Sequence, residues 1–250
     1  MNARLRRFVG VARSLVVYRA RPWRAASLAR FYGEMLGPGD LAFDVGAHVG
    51  NRARAMLRAG ARVVAVEPQA ALCALLERDL PRGAVVVRAA VGAAPGEARL
   101  AVSRLHPTLA SIAPGFAARV GGAPGFEHVQ WDAEERVPVT TLDALIAEYG
   151  RPRLIKLDIE GHEAEALRGL GAPVPWIAFE YLPAALDVAM ACLDRLDALG
   201  RWRCNLVEGE RRAFSLADWL PTAEMRAELA ARAASGRSGD VYARLEDADG

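Results

Sequence analysis

The sequence predicts an α/β fold in which helices cover both faces of a mainly parallel sheet. Apolar runs suited to buried strands alternate with segments of helical periodicity from residue 41 to residue 181. The first run continues into a glycine-containing turn and a helix start, over residues 41–51 (LAFDVGAHVGN). Near the C-terminus, two further strands joined by a long connection indicate an antiparallel addition at the sheet edge.

Composition indicates one globular domain with a full core. The 250 residues are 52% hydrophobic and 25% charged, which is ordinary for a folded protein of this length. The three cysteines, Cys73, Cys192 and Cys204, are far apart and form no C-x-x-C pair. They fit neither a disulfide framework nor a zinc site, and indicate reduced thiols in a cytoplasmic protein.

The charge distribution argues against a nucleic-acid-binding surface. Lys156 is the only lysine among 32 basic residues, so the many arginines reflect the codon usage of a GC-rich bacterial genome. Residues 1–33 carry eight arginines and no acid, which leaves a net charge of −6 on the remainder. A body that is acidic on balance does not attract phosphate backbones.

Residues 1–36 are expected to form a basic, helical leader before a domain at residues 37–250. The apolar run in the leader is shorter than the roughly 20 residues that a bilayer span needs, and Arg13 interrupts it. Two interpretations remain: a basic amphipathic helix on an anionic membrane surface, or a helix packed against the domain.

The predicted elements follow the alternation of apolar runs and helical segments. Residues 37–40 (GPGD) form a turn before the first strand. Residues 92–136 break the rhythm and predict a loop-rich insertion; His106, Ser111, His128 and Trp131 within it are most simply loop residues. The predicted helices are 27–36, 52–59, 70–79, 141–149, 162–170, 184–199 and 217–234, and the strands begin at 41 and span 62–67, 84–91, 98–103, 153–159, 176–181, 202–207 and 241–245.

Acidic residues occur at the carboxyl ends of four predicted strands. Asp44, Glu67 and Glu180 each lie at one such end, and Asp158 with Glu160 lies at a fourth. In an open α/β sheet the ligand binds outside these ends, close to the point where the strand order reverses. One rim of the sheet is therefore expected to carry the site.

The first turn favours an adenosyl ligand over a dinucleotide. The pentapeptide from Gly46 to Gly50 lacks the middle glycine of G-x-G-x-x-G, and the Asp44 carboxylate would repel a pyrophosphate. An acid there suits the ammonium and sulfonium of S-adenosylmethionine, while the helix start can receive its carboxylate. Glu67, 17 residues after Gly50, is placed to accept both ribose hydroxyls. An NAD-dependent oxidoreductase remains the alternative enzyme class.

Lys156, Asp158 and Glu160 alternate with apolar residues in a strand that should be continuously apolar. Either the acids emerge into solvent at the rim, or they line a reaction site beside His162. His162 opens a helix whose dipole disfavours its protonated form, so it is a candidate neutral base or only a helix cap. Asp158, Glu160 and His162 could ligate a metal, but no further ligand is tied to them by spacing, and no metal is expected.

Five motifs together resemble the FkbM family of S-adenosylmethionine-dependent methyltransferases. They are FDVGAHVG, VVAVEP, VTTLDAL, LIKLDIEGHEAEALRG and IAFEY, within about residues 36–181. The resemblance implies a Rossmann-like class I methyltransferase fold, with a seven-stranded, mainly parallel sheet and an antiparallel edge strand.

The resemblance also implies the roles of the motif residues. The turn that contains Asp44, Gly46, Ala47 and Gly50 would hold the methionine part of the cofactor, and Glu67 its ribose. The acceptor side would be lined by Asp158, Glu160 and His162. His48 stands where the family commonly has asparagine, which leaves any side-chain contact from that position open.

The family's activity is typically O-methylation of a hydroxyl on a sugar, glycan or natural product. The sequence is accordingly interpreted as a cytoplasmic bacterial enzyme with a small-molecule or glycan acceptor and no nucleic-acid partner. The non-enzymatic alternative is a binding or scaffold protein of the same fold, with the basic N-terminus as a peripheral membrane anchor.

Overall fold

The fold is built on one large sheet. The structure, a computed structural model, describes residues 22–106, 109–122, 129–209 and 211–246. The described helices are α1 (Pro22–Tyr32), α2 (Asn51–Arg58), α3 (Ala70–Asp79), α4 (Phe116–Val120), α5 (Leu142–Tyr149), α6 (Glu163–Arg168), α7 (Leu186–Leu199) and α8 (Thr222–Ala234), with a 3₁₀ turn at Pro183–Ala185. The strands of the large sheet are β1 (Leu41–Val45), β2 (Arg62–Val66), β3 (Ala84–Val87), β7 (Leu154–Leu157), β8 (Trp176–Tyr181), β9 (Trp202–Glu208), β10 (Leu220–Pro221) and β11 (Gly239–Leu245).

The large sheet has the strand order β10-β9-β11-β8-β7-β1-β2-β3. The five strands from β8 to β3 are parallel, and β11 runs antiparallel to both β8 and β9. This confirms the mainly parallel sheet. The antiparallel strand β11 lies inside the sheet, however, and β9 with the two-residue β10 forms the edge. The strand order reverses between β1 and β7, which places a ligand site at their carboxyl ends.

A second, small sheet covers part of that rim. Its strands β4 (Ala90–Val91), β5 (Gly96–Val102) and β6 (Ala133–Thr140) have the order β4-β6-β5. The predicted strand 84–91 is therefore two strands in different sheets. Strand β6 was not predicted, because Pro138 is unusual inside a strand and no local pattern marks a strand whose partner, β5, lies about 35 residues away.

Helices cover both faces of the large sheet. One face packs against α1, α2 and α3, and the other packs against α5, α6, α7 and α8. Helix α1 is part of the core, since Phe31 and Tyr32 are buried and the Phe31 ring lies edge-on to Tyr242 of β11 at 5.3 Å between centroids. Residues 1–21, which carry most of the predicted leader, lie outside the described residues. Among the described helices, none has the length and hydrophobicity that a bilayer crossing requires.

The glycines of the first turn are required by the fold itself. Gly46 has φ +81°, and a Cβ at this position would lie 1.9 Å from the carbonyl oxygen of Asp158. Gly50 has φ +80°, and a Cβ there would lie 2.7 Å from Cδ2 of Leu76 in α3. The chain therefore needs both glycines for its own packing, whether or not a ligand approaches the turn.

We expect Gly46→Ala to lower the free energy of unfolding by more than about 3 kcal/mol, because it adds a backbone clash to an unfavourable left-handed conformation. Gly39→Ala is the matched control: Gly39 has φ +86°, but no atom lies within 4 Å of the added carbon. The control should lose only about 1–2 kcal/mol. Urea unfolding followed by circular dichroism measures the free energy of unfolding of both variants. Equal decreases in the two variants would contradict a backbone clash at Gly46.

Candidate active site

A cleft opens at the carboxyl ends of β1, β2 and β7, with about 410 Å³ of empty space that includes open solvent. One wall is apolar, and the polar groups gather at the other. The apolar residues are Val45, Val66, Ala89, Ala90, Val91, Leu100, Ala110, Ile112 and Ile159, and the remaining lining residues are Gly46, His48, Glu67, Pro68, Gln69 and Asp158.

Glu67 links the two loops on either side of the cleft. One carboxylate oxygen accepts the His48 N–H at 3.0 Å, and the other accepts the Gln69 N–H at 2.9 Å. Burial raises the pKa of Glu67 to about 7, against the lowering effect of these two N–H groups. The Gln69 side chain also hydrogen-bonds to Glu67, so of the roughly four acceptor sites of a carboxylate about one is left for a ligand hydroxyl.

The first turn has few backbone donors to spare. The Gly46 and Ala47 N–H groups both donate to the Val66 carbonyl, at 2.9 and 3.0 Å, and the Gly50 N–H donates to the Ala47 carbonyl at 2.8 Å. What the turn leaves available are the first N–H groups of α2, which have no acceptor within the helix. An anionic ligand group would therefore bind at the start of α2 rather than inside the turn.

His48 occupies a left-handed backbone position, with φ +50°. Asparagine, aspartate and histidine are the side chains most tolerant of this conformation after glycine, so histidine in place of asparagine preserves the turn. The ring lines the cleft, and burial lowers its pKa, with Asp158 opposing that effect. Histidine at position 48 is therefore compatible with the backbone of the turn. A contact between its side chain and the cofactor stays a prediction.

Asp44 is a buried acid whose carboxylate is poorly satisfied. It is 1% exposed, and neither oxygen has a well-formed hydrogen bond among the described residues, although the Ala53 N–H of α2 is near enough to lower its pKa. Burial raises its pKa to about 6, while Arg52 opposes the rise. A buried carboxylate in this state is costly unless a ligand supplies the missing donors.

Arg52, in the first turn of α2, was not found by sequence reasoning. It donates to one oxygen of Asp158 and lies 3.9 Å from Asp240, which in turn accepts Lys156 Nζ at 2.9 Å. Burial alone would raise the pKa of Asp158, but Arg52 and then Lys156 outweigh it and lower this pKa to about 2. Asp158 is therefore ionised at neutral pH.

The lysine in the apolar strand has a structural explanation. Lys156 is fully buried in β7, next to Asp44 of β1 in the register, and its partner Asp240 comes from the last strand. The sequence could not pair residues 156 and 240, because only the sheet order brings β11 to this face. Arg52 was equally hidden, since an arginine is unremarkable in a chain so rich in arginine.

Glu160 differs from Asp158 in its ionisation. It has φ +52°, is 5% exposed, and its Oε2 has no hydrogen-bond partner among the described residues. Burial and then the charges of Asp158 and Glu163 raise its pKa well above the usual range. Two neighbouring carboxyls with pKa values shifted in opposite directions are a common arrangement in acid–base sites.

The structure groups Glu180, rather than His162, with the two acids. Carboxylate oxygens of Asp158, Glu160 and Glu180 lie within 4.8 Å of one another. The Nε2 atom of His162 lies beside Gly92, 3.5 Å from where a Cβ of that residue would be. Burial lowers the pKa of His162, so the neutral form is favoured by desolvation as well as by the helix start. A catalytic role for His162 stays a prediction.

Two residues of the irregular region 92–136 make structural contacts near the site. The Ser111 hydroxyl donates to the Glu160 carbonyl at 2.7 Å, and the Trp131 indole N–H donates to the Leu109 carbonyl at 2.8 Å. Ser111 thereby fixes the turn that carries Glu160. His128 lies outside the described residues.

A family model described as the methyltransferase FkbM domain matches residues 44–234 of this chain. The chain belongs to the FkbM methyltransferase family. It is an S-adenosylmethionine-dependent methyltransferase with the Rossmann-like fold that the sequence motifs predicted. A search among curated proteins found no match.

Solved structures similar to this FkbM enzyme include three methyltransferases. A TehB-like SAM-dependent methyltransferase from Corynebacterium glutamicum is 14% identical, with 93% of each chain covered and a TM-score of 0.47. An O-methyltransferase from Bacillus cereus in complex with SAH is 12% identical, with 98% of this chain and 90% of that chain covered and a TM-score of 0.47. A precorrin-6y C5,15-methyltransferase from Geobacter metallireducens is 12% identical, with 89% and 87% covered and a TM-score of 0.42.

The cleft of the FkbM enzyme fits its cofactor chemically. Glu67 lines the cleft and can accept a hydrogen bond from a ribose hydroxyl. The apolar lining residues, which include Leu100 and Ile112, suit an adenine ring. Asp44 would suit an ammonium group, but it does not itself line the cleft and lies next to the lining residue Val45.

We expect Arg52→Met to lower the free energy of unfolding at pH 7 by about 2 kcal/mol, because a buried, ionised Asp158 loses its nearest partner. Burial would then raise the pKa of Asp158 above its unfolded value of about 3.9, so protonation at low pH removes the cost. The loss relative to the unmodified protein should start to narrow as the pH falls through the variant's raised pKa, above about 3.9, and should continue to narrow towards the pKa of about 2 that Asp158 has beside Arg52.

Arg119→Met is the control for this experiment. Arg119 pairs with Asp187 at 2.8 Å, but both side chains are well exposed, so the pair contributes little. Urea unfolding at pH 7 and pH 4 provides the measurement. An Arg52 variant as stable as the Arg119 variant at pH 7 would show that Asp158 does not depend on Arg52.

Proposed function

We propose that this enzyme methylates a hydroxyl oxygen of a sugar, glycan or natural product. The observation that carries the proposal is the pair of buried acids, Asp158 and Glu160, at the carboxyl end of β7 beside the cofactor cleft. A hydroxyl acceptor must lose a proton during methyl transfer, and a carboxylate near the reacting oxygen can take it.

For the cofactor, we assign the methionine ammonium to Asp44 and the ribose to Glu67. The turn of Gly46, Ala47 and Gly50 forms the floor against which the methionine part lies. Support comes from the poorly satisfied carboxylate of Asp44 and from the position of Gly46 and Glu67 in the lining of the cleft. The methionine carboxylate is assigned to the first N–H groups of α2.

The residues on the acceptor side have distinct roles in this proposal. When bound, S-adenosylmethionine supplies a methyl group whose C–S bond breaks, with the electron pair staying on sulfur, as the C–O bond forms. Asp158, kept ionised by Arg52, accepts a hydrogen bond from the acceptor and orients it. Glu160, in its ionised form, takes the hydroxyl proton, and its raised pKa makes it a stronger base than an ordinary carboxylate. His162 remains a second candidate for that proton.

The irregular region 92–136 is the proposed wall of the acceptor pocket. Ser111 from this region is bonded to the turn that carries Glu160, so the region adjoins the acceptor side, while its residues Leu100 and Ile112 line the part of the cleft assigned to adenine. Its side chains would therefore select among hydroxylated acceptors.

We expect Glu67→Ala to weaken binding of the demethylated cofactor at least tenfold, about 1.4 kcal/mol, because the ribose loses its acceptor and the two loops lose their link. Isothermal titration calorimetry gives the dissociation constant, which should be in the micromolar range for the unmodified protein. Glu97→Ala, at an exposed position of β5, is the control and should bind normally. No binding by the folded, unmodified protein would refute the cofactor assignment.

The acceptor class is tested with S-adenosylmethionine carrying a ¹³C-methyl group and a panel of glycosides, polyols and hydroxylated natural products. The expected product has a methoxyl carbon resonance. Glu160→Gln should reduce kcat by about 100-fold or more while cofactor affinity changes less than about threefold. Label found on nitrogen or sulfur would contradict O-methylation, and cofactor binding without turnover would favour the non-catalytic alternative.

A further inference from the structure

Three carboxylates meet at the rim of the large sheet. Asp158 follows β7, Glu160 lies in the turn after it, and Glu180 belongs to the end of the neighbouring parallel strand β8. Each contributes an oxygen to a group in which all atoms lie within 4.8 Å of one another. Acids at this separation repel one another unless they retain protons or a cation compensates them.

The nearby cations compensate only one acid of the cluster. Arg52 pairs with Asp158, which belongs to the cluster, and Lys156 pairs with Asp240, which does not. Among the described residues, no arginine, lysine or histidine forms an ion pair with Glu160 or Glu180. The cluster therefore has more carboxylates than the protein's own cations neutralise.

A second observation at the cluster points to a ligand. The Oε2 atom of Glu160 is buried and has no hydrogen-bond donor in the described part of the chain. Its residue is only 5% exposed, and the Ser111 hydroxyl fixes its backbone carbonyl at 2.7 Å. A buried carboxylate oxygen held in this way, without a donor, is costly unless something binds to it.

We propose that Asp158, Glu160 and Glu180 bind one divalent cation at the rim of the cofactor cleft. Carboxylate oxygens are the preferred ligands of Mg²⁺, Mn²⁺ and Ca²⁺. Ligands on opposite sides of one such ion are about 4–5 Å apart, given metal–oxygen distances of about 2.1 to 2.4 Å. The observed separations fit this geometry, and three carboxylates leave coordination positions open for water or acceptor oxygens.

The site differs from the one considered in the sequence analysis. The sequence offers Asp158, Glu160 and His162 as ligands but ties no further acid to them by spacing, and therefore predicts no metal. The pairing of β7 with β8 supplies that acid, Glu180, and His162 lies beside Gly92 instead.

The consequence for the acceptor rests on the proposed function. A cation at this position would bind acceptors with two adjacent oxygens, such as vicinal diols or α-hydroxy carbonyls, and would lower the pKa of the coordinated hydroxyl. Glu160 can coordinate the cation through one oxygen and accept the hydroxyl proton on the other.

The test is calorimetric titration of the full chain with MnCl₂, after treatment with EDTA and desalting, with Mn²⁺ electron paramagnetic resonance as a second readout. We expect one Mn²⁺ per chain, displaced by excess Mg²⁺ or Ca²⁺. Glu160→Gln and Glu180→Gln should each weaken Mn²⁺ binding at least tenfold. Circular dichroism confirms that each variant is folded.

Glu163→Gln is the charge-matched control. Glu163 is buried near the cluster, but its carboxylate accepts the Ile159 N–H at 2.9 Å, and glutamine keeps that acceptor. Its Mn²⁺ affinity should change less than about threefold. If Glu163→Gln loses as much Mn²⁺ affinity as Glu160→Gln and Glu180→Gln, the total negative charge of the region controls binding, and direct coordination by the cluster does not.

Other outcomes separate this proposal from the proposed function. Absence of Mn²⁺ binding by a protein that still binds the demethylated cofactor would overturn the metal site alone. If Glu160→Gln and Glu180→Gln weaken S-adenosylmethionine binding but leave Mn²⁺ binding unchanged, the acids face the positive charges of the cofactor, and the metal site is also overturned. Mn²⁺ binding without cofactor binding would instead refute the proposed function.

Discussion

The site depends on the close approach of Gly46 to the backbone of Asp158. A carbon added at Gly46 would lie 1.9 Å from the Asp158 carbonyl oxygen, so no other residue type allows β1 and β7 to end at this separation. The contact fixes the first turn, to which we assign the methionine part of the cofactor, against the loop that carries the acids. Arg52, two residues after Gly50, then joins the side chain of Asp158 to the start of α2. Backbone packing and one ion pair thus set the distance between the first turn and the loop that carries the acids.

The electrostatics of the site are set by buried carboxyl groups, of which only some have a cation or a hydrogen-bond donor beside them. Asp44 and Glu160 have carboxylate oxygens without well-formed hydrogen bonds, whereas Asp158 is stabilised as an anion by Arg52 and Lys156. Such a site destabilises the free protein, because polar carboxyl groups are held away from water without full compensation. Ligands that bring positive charge relieve this cost, so binding and stability are coupled through the same few carboxyls.

Much of this arrangement was predictable, because it arises from local patterns. The turn residues Asp44, Gly46 and Gly50, the acid Glu67 and the alternation of strands and helices all follow from spacing along the chain. The reason for the glycines was not predictable, since Leu76 and the Asp158 carbonyl approach them only in the folded protein. Strand β6 also escaped prediction, because it is stabilised by pairing with β5 across a long irregular segment.

The sequence by itself determined the fold class, the family and the rim on which the chemistry lies, because periodicity and motif spacing are properties of neighbouring residues. Only the tertiary structure decided which charges meet. It paired Lys156 with Asp240 and Arg52 with Asp158, and it placed Glu180, instead of His162, beside the two acids. The physical reason is that charge compensation depends on distance in space, and the sheet order brings together residues that no sequence interval connects.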